Sequence, residues 1–351
     1  MADSLTDYEE LAAAVLPSAV RDFVAGGSGF EMTLQLNRAA FDSVTLTPRV
    51  LGGISAVDTT WQSFSGASMP VVVAPMAYQR LLHPEGELLL ARAAADAGIP
   101  YTISTLSSYP LEKIAGTGPS WFQLYWLRDR LLVESLVDRA EAAGCTALMV
   151  TVDVPVMGRR LRDVRNSFAL PPDVVAANLV DAVTEAHVGV PGLSAVAAHT
   201  ASAFEPAVSW QDLEWLRSRT RLPLLIKGIL DPRDAVRAAE IGAAGIVVSN
   251  HGGRQLDGAV ASINALPAVV DAAGKHCQVF VDSGVRSGTD VLRALALGAS
   301  AVLVGRPLLW ALAVDACAEG LGLLRKELED AMLLAGCADL AAAGRLTTGR
   351  I

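Results

Sequence analysis

Short apolar runs alternate along the chain with longer segments whose apolar residues recur at helical spacing. Eight of these runs are rich in branched aliphatic residues and end in a polar residue or Gly, which is typical of buried parallel strands. They are Val71–Pro75, Tyr101–Thr105, Trp121–Tyr125, Ala147–Asp153, Pro223–Gly228, Gly245–Asn250, Gln278–Gly284 and Ala301–Gly305. Eight strands alternating with helices predict an α/β fold in which the strands close into a (β/α)8 TIM barrel.

The segments between the strands carry the composition and the end signals of helices. Four of them are Glu85–Ala97, Leu131–Ala143, Pro232–Ile241 and Thr289–Leu297. Each precedes a glycine suited to a helix C-terminus, namely Gly98, Gly144, Gly242 and Gly298. Asp231 before Pro232 predicts a capped helix start.

Two long segments fall outside the repeat. Residues 1–68 precede the first strand, and residues 161–220 separate the fourth strand from the fifth. Because long excursions at this end of a barrel are often functional, we expect a lid there. We predict a single domain over residues 1–351, with an N-terminal extension (1–68), a barrel (69–310) that contains the 161–220 excursion, and C-terminal helices (311–351).

Composition excludes several classes of protein. The chain has 351 residues, of which 19% are charged, and its net charge is −9. This acidic balance argues against nucleic-acid binding and against a membrane-surface role. No apolar stretch is long enough to span a bilayer, and the acidic N-terminus does not resemble a secretory signal. The four cysteines form no C-x-x-C pair, so we expect reduced thiols, no metal site and a cytoplasmic location.

Polar residues collect where the predicted strands end. Active sites of barrels lie at the C-terminal ends of the strands, so these residues are candidates for chemistry. They are Gln123, Tyr125, Thr151, Asp153, Lys227, Ser249, His251, Arg254, Asp282, Gly284, Arg286, Gly305 and Arg306. Their presence on almost every unit is difficult to explain by stability alone.

His251 is the strongest candidate for a catalytic base. It is one of five histidines, and two glycines follow it directly. Asp153, from another strand end, would orient the imidazole, and Arg254 would bind a substrate carboxylate beside the base. Arg160 is a second clamp candidate. The competing interpretations are a hydrogen-bonded surface histidine and solvated arginines, and for Arg160 the neighbouring arginines strengthen the latter.

Two glycine-containing turns predict a phosphate site. Gly284–Gly288 follows the seventh strand and Gly305–Pro307 follows the eighth, where barrels commonly bind phosphate groups. Lys227 ends a buried strand, and a buried cation requires an anionic partner. It could form a Schiff base, stabilise negative charge on a reduced cofactor or reach solvent, and spacing alone does not choose.

The segment Ser249-Asn-His-Gly-Gly-Arg-Gln-Leu-Asp257 resembles the signature of the FMN-dependent 2-hydroxy acid oxidases and dehydrogenases. The resemblance covers nearly the whole chain. Other matching segments, in matching order, are Leu16-Pro17, Ala25–Gly27, Asn37-Arg38, His83–Gly86, Thr105–Ser108, Phe122–Tyr125, Thr151–Pro155 and Gly305–Pro307. Matches at so many places make the resemblance highly specific, and they imply FMN as cofactor and a small 2-hydroxy acid as substrate.

The resemblance implies a role for each candidate residue. His251 would be the base with Asp153 as its partner, and Tyr125 would contact the substrate oxygen. Arg254 and Arg160 resemble the carboxylate-binding arginines, and Lys227 resembles the lysine that stabilises the reduced flavin ring. Contacts to the flavin ring are implied for Ala77, Ser107, Gln123, Thr151 and Ser249. Contacts to the ribityl chain and phosphate are implied for Asp282, Gly284, Arg286, Gly305 and Arg306.

Four positions depart from the common family pattern. Phe23 replaces an active-site tyrosine, which removes a hydroxyl contact to the carboxylate. Tyr78 and Tyr109 stand where methionine and tryptophan occur, and Ser283 replaces a glycine, which questions the packing near the phosphate. Phe23, Tyr78 and Tyr109 would line the substrate pocket with aromatic rings. An aryl substrate is therefore expected, (S)-mandelate or 4-hydroxymandelate, giving a benzoylformate.

Other functions remain open at this point. Lactate is the alternative substrate, because the two tyrosines could also close a small pocket. An FMN-dependent isomerase and a non-catalytic flavin-binding protein are more remote alternatives. We expect O₂ as electron acceptor, with hydrogen peroxide as product, although a quinone or another acceptor is the alternative. The resemblance also implies a homotetramer, and it leaves open whether hydride or proton transfer comes first.

Overall fold

Eight parallel strands form a closed barrel in the computed structural model, which describes residues 2–62, 66–179 and 194–351. The barrel strands are β2 (Val71–Val73), β3 (Tyr101–Ser104), β4 (Ser120–Tyr125), β5 (Ala147–Thr151), β6 (Leu224–Ile229), β7 (Gly245–Val248), β8 (Gln278–Val281) and β9 (Ala301–Val304). Each strand pairs with the next along the chain, and β9 pairs with β2. All eight predicted strands and the predicted barrel are confirmed.

Helices follow the strands and surround the barrel. They are α1 (Asp7–Val15), α2 (Ser18–Ala25), α3 (Met32–Ser43), α4 (Gly86–Asp96), α5 (Leu111–Ala115), α6 (Arg130–Ala142), α7 (Leu161–Arg165), α8 (Ala195–Ala203), α9 (Trp210–Arg219), α10 (Pro232–Glu240), α11 (Ser262–Ala273), α12 (Gly288–Ala296), α13 (Arg306–Ala313), α14 (Cys317–Ala335) and α15 (Leu340–Ala343). The four predicted helices correspond to α4, α6, α10 and α12. Their predicted C-terminal glycines all have positive φ, and the Asp231 side chain accepts from the Arg233 N–H.

Apolar side chains fill the barrel interior and close its N-terminal end. The interior cluster includes Met149, Leu225 and Phe280, all fully buried. Trp61 from the N-terminal extension packs edge-on against Phe280 and Trp121, with ring centroids 5.8 and 6.5 Å away. The interior is therefore a packed core, and only its C-terminal end is left to bind ligands.

Side-chain alternation explains why polar residues collect at that end. Met149, Leu225 and Phe280 point into the barrel, and successive side chains on a strand point to opposite faces. The next inward positions on β5 and β6 are Thr151 and Lys227, which are paired in register. On these two strands, apolar side chains therefore point inward along the length and a polar side chain points inward at the C-terminal end.

The N-terminal extension supports the loops after β7 and β8. Asn37 on α3 exchanges two side-chain amide hydrogen bonds with Asn250, at 2.8 and 2.7 Å. Arg38 donates to the Gly284 carbonyl at 2.6 Å and forms a salt bridge with buried Asp290, also at 2.6 Å. This helix therefore fixes two loops that carry candidate site residues.

The C-terminal segment differs from its prediction. It contains α14 and α15 as expected, but it ends in strand β10 (Thr347–Arg350). This strand pairs antiparallel with β1 (Val44–Thr47) of the N-terminal extension. The sequence did not predict this additional strand, because four residues that include two threonines and a glycine carry no apolar pattern.

The excursion after β5 contains α7, α8 and α9. Residues 180–193 of this segment lie outside the described residues. The role of the excursion as a lid therefore stays a prediction. Within the part that the structure describes, Ala195–Ala203 forms α8 and packs beside the C-terminal end of the barrel. No helix among the described residues is long and apolar enough to cross a membrane.

Candidate active site

A cavity that opens to solvent lies at the C-terminal end of the barrel, with an empty volume of about 1210 Å³. Of the candidate residues, those that line it are Phe23, Ala77, Tyr78, Tyr125, Arg160, Lys227, His251, Arg254, Asp282, Gly284, Arg286, Gly305 and Arg306. Ser107, Tyr109, Gln123, Thr151, Asp153 and Ser249 do not line it. The cavity therefore brings most of the candidate residues together at one site.

His251 lies between a carboxylate and a phenol. Its Nδ1 is 3.0 Å from Asp153 Oδ1, and its Nε2 is 3.4 Å from the Tyr125 hydroxyl. A carboxylate at Nδ1 places the proton of the neutral ring on that nitrogen. Nε2, on the other side of the ring, is then free to accept a proton from a bound substrate.

The surroundings keep His251 neutral and Tyr125 protonated. Burial lowers the pKa of His251 and outweighs the opposing effect of Asp153, with Lys227 acting in the same direction as burial. Burial raises the pKa of Tyr125 to about 12, so its hydroxyl remains a donor at neutral pH. A neutral base beside a phenol donor can remove a proton from a substrate whose oxygen the phenol binds.

The pKa of His251 predicts the acid side of the pH profile. Base catalysis requires the neutral imidazole, so kcat/KM should fall as pH drops through the pKa of His251 in the free enzyme. Because that pKa lies below its ordinary value of 6.5, the profile should already be flat at neutral pH. Steady-state kcat/KM measured from acidic to neutral pH checks this, and an inflection above 6.5 would contradict it.

Arginines surround the same cavity without carboxylate partners. In the described part of the chain, Arg254, Arg286 and Arg306 form no salt bridge, and Arg160 has only Asp163 at 3.9 Å. Arg306 donates instead to the carbonyls of Val24, Gly252 and Gly26, at 2.9, 3.1 and 3.0 Å. Three of these cations therefore have no protein anion to neutralise them.

This lack of counter-charge is visible in the pKa values of the arginines. Burial, with a smaller effect of Arg254, lowers the pKa of Arg160 to about 9. Burial and the other arginines lower the pKa of Arg306 far below its ordinary range. An anion that binds in the cavity reverses these shifts, so the arrangement favours binding of a phosphate and a carboxylate.

Of the four arginines that follow β5, one reaches the cavity. Arg159 and Arg165 are exposed, and Arg162 pairs with Glu31 at 2.6 Å and with Asp22 at 3.4 Å. Arg160 lines the cavity, with its side chain 10% exposed and no hydrogen-bond partner for Nε in the described residues. The crowding of arginines in the sequence therefore does not make Arg160 a surface residue.

Lys227 is held within the wall of the cavity. Its Nζ lies 3.4 Å from Asp282 Oδ2 and donates to Ser249 Oγ at 3.1 Å. Burial acts to lower the pKa of Lys227, but the charges of Asp282 and Asp153 outweigh it and raise that pKa. Lys227 is therefore cationic, which is suited to stabilising negative charge and does not suit formation of a Schiff base, since that requires the free amine.

Besides Ser249, three predicted flavin contacts lie behind the cavity wall. Gln123 and Thr151 are joined by a hydrogen bond of 3.0 Å from Nε2 to Oγ1. Ser107 accepts from the Asn178 amide at 2.9 Å and donates to the Tyr109 carbonyl at 2.8 Å. All three are buried and lie next to residues that line the cavity, so the structure brings them near the site without exposing them to it.

Tyr109 does not contribute to the substrate pocket. Its hydroxyl donates to the Pro84 carbonyl at 3.1 Å. Its ring lies between the cations of Arg80 and Lys113, 5.7 and 4.7 Å from the ring centroid. Cation–π contacts and this hydrogen bond hold Tyr109 outside the cavity, so the structure does not bring it together with the other predicted pocket residues.

Phe23 and Tyr78 do give the cavity an aromatic wall. Phe23 stacks on Phe168 with ring centroids 4.5 Å apart, and it also faces Arg254 and Arg160, at 5.4 and 5.9 Å. Tyr78 is fully buried, and its hydroxyl has no hydrogen-bond partner within the described residues. An aryl group beside Phe23 would thus lie next to both cations.

The sequence reasoning missed one wall of the cavity. Val196 and Thr200 on α8, together with Phe204 just after it, line the cavity at helical spacing. Phe204 stacks on Tyr125 with ring centroids 4.6 Å apart. Met157 and Gln255 also line it. Gln255 was part of the quoted signature, whereas α8 lies in an excursion where no strand repeat indicates direction.

A parallel barrel whose rim joins a histidine–aspartate pair to unneutralised arginines can bind a phosphate-bearing cofactor and a carboxylate substrate beside a base. The sequence profile described as FMN-dependent dehydrogenase matches residues 12–348. The chain is 57% identical to 4-hydroxymandelate oxidase of Amycolatopsis orientalis, covering 98% of each chain. It is 49% identical to L-lactate oxidase of Nostoc sp., covering 96% of this chain and 95% of the relative.

Solved structures agree with these relatives. The crystal structure of mandelate oxidase with (S)-4-hydroxymandelic acid matches with a TM-score of 0.97 at 56% identity, covering 99% of both chains. The chain belongs to the FMN-dependent dehydrogenase family. It is an FMN-dependent enzyme that oxidises 2-hydroxy acids, as the resemblance implied.

Proposed function

We propose that this enzyme oxidises (S)-mandelate or (S)-4-hydroxymandelate to the corresponding benzoylformate, with O₂ as acceptor and hydrogen peroxide as product. The observation that carries the proposal is Phe23, whose ring centroid is 5.4 Å from the Arg254 guanidinium and 5.9 Å from that of Arg160, in the cavity that His251 also lines. Its ring offers an apolar face to an aryl group where the guanidinium groups receive the carboxylate. The relatives that oxidise mandelate support the same substrate class.

The residues of the cavity fit FMN. Arg286 and Arg306 are the phosphate ligands in this proposal, because both are buried cations without a carboxylate partner in the described residues. Lys227, Ala77, Ser107, Gln123, Thr151 and Ser249 would surround the ring, and Asp282, Gly284 and Gly305 would hold the ribityl chain and phosphate. When bound, FMN accepts the two electrons that leave the substrate.

The protein's own residues bind the substrate and move its proton. Arg254 and Arg160 bind the carboxylate, which orients the α-carbon toward the cavity interior. Tyr125 donates a hydrogen bond to a substrate oxygen, and His251 Nε2 accepts the proton that leaves the substrate. Asp153 stabilises the imidazolium that results, because its carboxylate is 3.0 Å from Nδ1. Lys227 provides positive charge where electrons accumulate.

Phe23 is expected to determine preference between aryl and small substrates. Phe23→Tyr adds a hydroxyl near Arg254 and Arg160, where it can donate to a carboxylate and makes the wall more polar. Because every one of these substrates has the carboxylate, discrimination comes from the aryl ring, which would bury the new hydroxyl against an apolar face at a cost of about 1–3 kcal/mol. We therefore expect the ratio of kcat/KM for (S)-mandelate to kcat/KM for glycolate or (S)-lactate to fall by about tenfold.

Steady-state kinetics with these substrates measure that ratio. Phe30→Tyr is a matched control, because Phe30 is 89% exposed and does not line the cavity. An unchanged ratio in Phe23→Tyr would remove Phe23 from the determinants of specificity.

An anaerobic titration tests the function as a whole. The purified holoenzyme is titrated with (S)-mandelate, (S)-4-hydroxymandelate or (S)-lactate without oxygen, and air is then admitted. Loss of the flavin absorbance with an aryl substrate and its return in air with peroxide would support the proposal. Bleaching by lactate alone would favour lactate, as the Nostoc relative suggests, and slow return in air would favour an acceptor other than O₂.

We also propose a cytoplasmic homotetramer. All four cysteines are free thiols, which suits a reducing compartment. Large apolar side chains are exposed on two neighbouring segments, Phe30 and Met32 on one and Leu256 on the other, and Asp257 joins the segments by accepting from the Phe30 N–H. Such side chains favour association. Light scattering of the purified enzyme tests the tetramer, and cell fractionation tests the compartment.

A further inference from the structure

The turn that carries His251 has an unusual backbone. His251, Gly252 and Gly253 all have positive φ, at 60, 66 and 74°. Two of these residues are glycines, which adopt this conformation without strain, but His251 is not. A left-handed backbone at a residue other than glycine persists when surrounding contacts hold it in place.

Side-chain oxygens hold all three backbone N–H groups of this turn. The His251 N–H donates to Ser249 Oγ at 3.0 Å, and the Gly253 N–H donates to Asn250 Oδ1 at 3.0 Å. Ser249 and Asn250 belong to the turn's own strand end. The Gly252 N–H donates to Ser283 Oγ at 2.8 Å, and Ser283 follows a different strand, β8. Ser283 thus joins the base's turn to the neighbouring loop.

Ser283 also connects this turn to the ion pair of Lys227. Its hydroxyl donates to Asp282 Oδ1 at 2.6 Å, while Asp282 Oδ2 lies 3.4 Å from Lys227 Nζ. Lys227 Nζ in turn donates to Ser249 Oγ, which accepts from the His251 N–H. The Lys227–Asp282 pair is therefore linked through two serine hydroxyls to two successive N–H groups of the turn.

Ser283 itself adopts a strained conformation. Its φ is 68°, in the left-handed region that favours glycine. Glycine would fit this backbone without strain, yet it could not make the two hydrogen bonds of the hydroxyl. The serine therefore contributes its hydroxyl at some cost in stability. Its two hydrogen bonds offset part of the backbone strain in this loop, where the sequence analysis questioned the replacement of glycine.

We propose that Ser283 is a positioning residue, which holds the base His251 and the cation Lys227 in fixed relation through Gly252 and Asp282. The inference rests on the family reaction and on the assignment of His251 as the base. It does not depend on which 2-hydroxy acid is the substrate.

Two substitutions separate the hydroxyl from the backbone strain. Ser283→Ala and Ser283→Gly both remove the hydroxyl, but only glycine relieves the strain at φ 68°. In anaerobic stopped-flow experiments at saturating substrate, we expect the substrate to reduce the flavin of both variants about tenfold more slowly than that of the wild type. We also expect Ser283→Gly to have the higher Tm of the two. Leu51→Gly is the control, since Leu51 has φ 61° and a fully exposed side chain.

Two further readouts identify positioning as the cause. The acid inflection of the kcat/KM profile should shift in both variants, because the bond from the Gly252 N–H to Ser283 is lost and the distance from His251 to Lys227, whose charge lowers the pKa of His251, is then less firmly fixed. The midpoint potential of the bound flavin should shift as well, because Asp282, the ion-pair partner of Lys227, loses the hydrogen bond from Ser283 that holds its carboxylate. Wild-type reduction rates in Ser283→Ala, or rates that simply follow Tm across the two variants, would overturn the proposal.

Failure of the substrate assignment gives a different result. If (S)-mandelate does not reduce the wild-type flavin, the substrate proposal fails, and the same comparison is made with whichever 2-hydroxy acid does reduce it. The midpoint potential and Tm need no substrate, so an unchanged potential in both Ser283 variants counts against the positioning role independently.

Discussion

Replacing His251 with alanine is expected to slow flavin reduction by the 2-hydroxy acid substrate by about 10²–10⁴-fold, the usual contribution of a positioned base. The reason is geometric. His251 Nε2 faces the Tyr125 hydroxyl in the cavity, and Asp153 holds the opposite nitrogen at 3.0 Å. No other histidine among the described residues lines this cavity. Anaerobic stopped-flow measurement of flavin absorbance determines the rate directly.

FMN binding should survive this substitution. The proposed phosphate ligands Arg286 and Arg306 come from the loops after β8 and β9, and the imidazole forms no hydrogen bond to either. The flavin spectrum and the FMN dissociation constant should therefore stay close to those of the wild type. His276→Ala is the matched control, because His276 is exposed just before β8, at the opposite end of that strand from the site. Near wild-type reduction of the flavin in His251→Ala would rule out His251 as the base.

Much of this site could be predicted because of a geometric property of parallel barrels. The strands run in one direction, so residues that follow different strands meet at one rim. Asp153 and His251 are 98 positions apart in sequence, yet their side chains are hydrogen-bonded. Lys227 and Asp282 meet in the same way. Polar residues at the ends of apolar strands therefore indicated proximity without any knowledge of the loops.

The loops themselves could not be predicted in this way. Tyr109 lies only two residues from Ser107, but the turn directs its ring outward to Arg80 and Lys113. Phe204 contacts Tyr125 from an excursion whose direction no strand or helix pattern indicates. The sequence indicated that Ser283 replaces a glycine, and hence that its backbone could be strained. The hydrogen bonds that offset this strain could not be predicted, because they depend on two loops that follow different strands.

The same reasoning explains why the positions of the arginines were easier to predict from the sequence than the positions of the aromatic residues in the pocket. Arg254 lies three residues beyond His251 in a short turn, so its location follows from that of the base. A guanidinium near a buried base without a carboxylate partner has few functions other than binding an anion. The shape of the pocket depends on Phe23, Tyr78 and α8, which come from three separate parts of the chain.

Replacing Arg254 with methionine is expected to lower kcat/KM for (S)-mandelate by at least about thirtyfold, since removing one partner of a buried charged hydrogen bond costs about 2–5 kcal/mol. Methionine keeps much of the length and the apolar stem of arginine, so packing against Phe23 changes little. The fold should also survive. Arg254 donates to the Gly26 carbonyl at 2.7 Å, but Arg306 holds the same carbonyl at 3.0 Å.

A neutral substrate shows whether the lost interaction is with the carboxylate. Methyl (S)-mandelate has the same aryl group and hydroxyl without the negative charge, so Arg254→Met should change its kcat/KM far less than that of the acid. Arg237→Met is the control, because Arg237 pairs with Glu214 on the surface. If the variant lost activity equally toward acid and ester, Arg254 would act through the structure of the site, and carboxylate recognition would fall to Arg160.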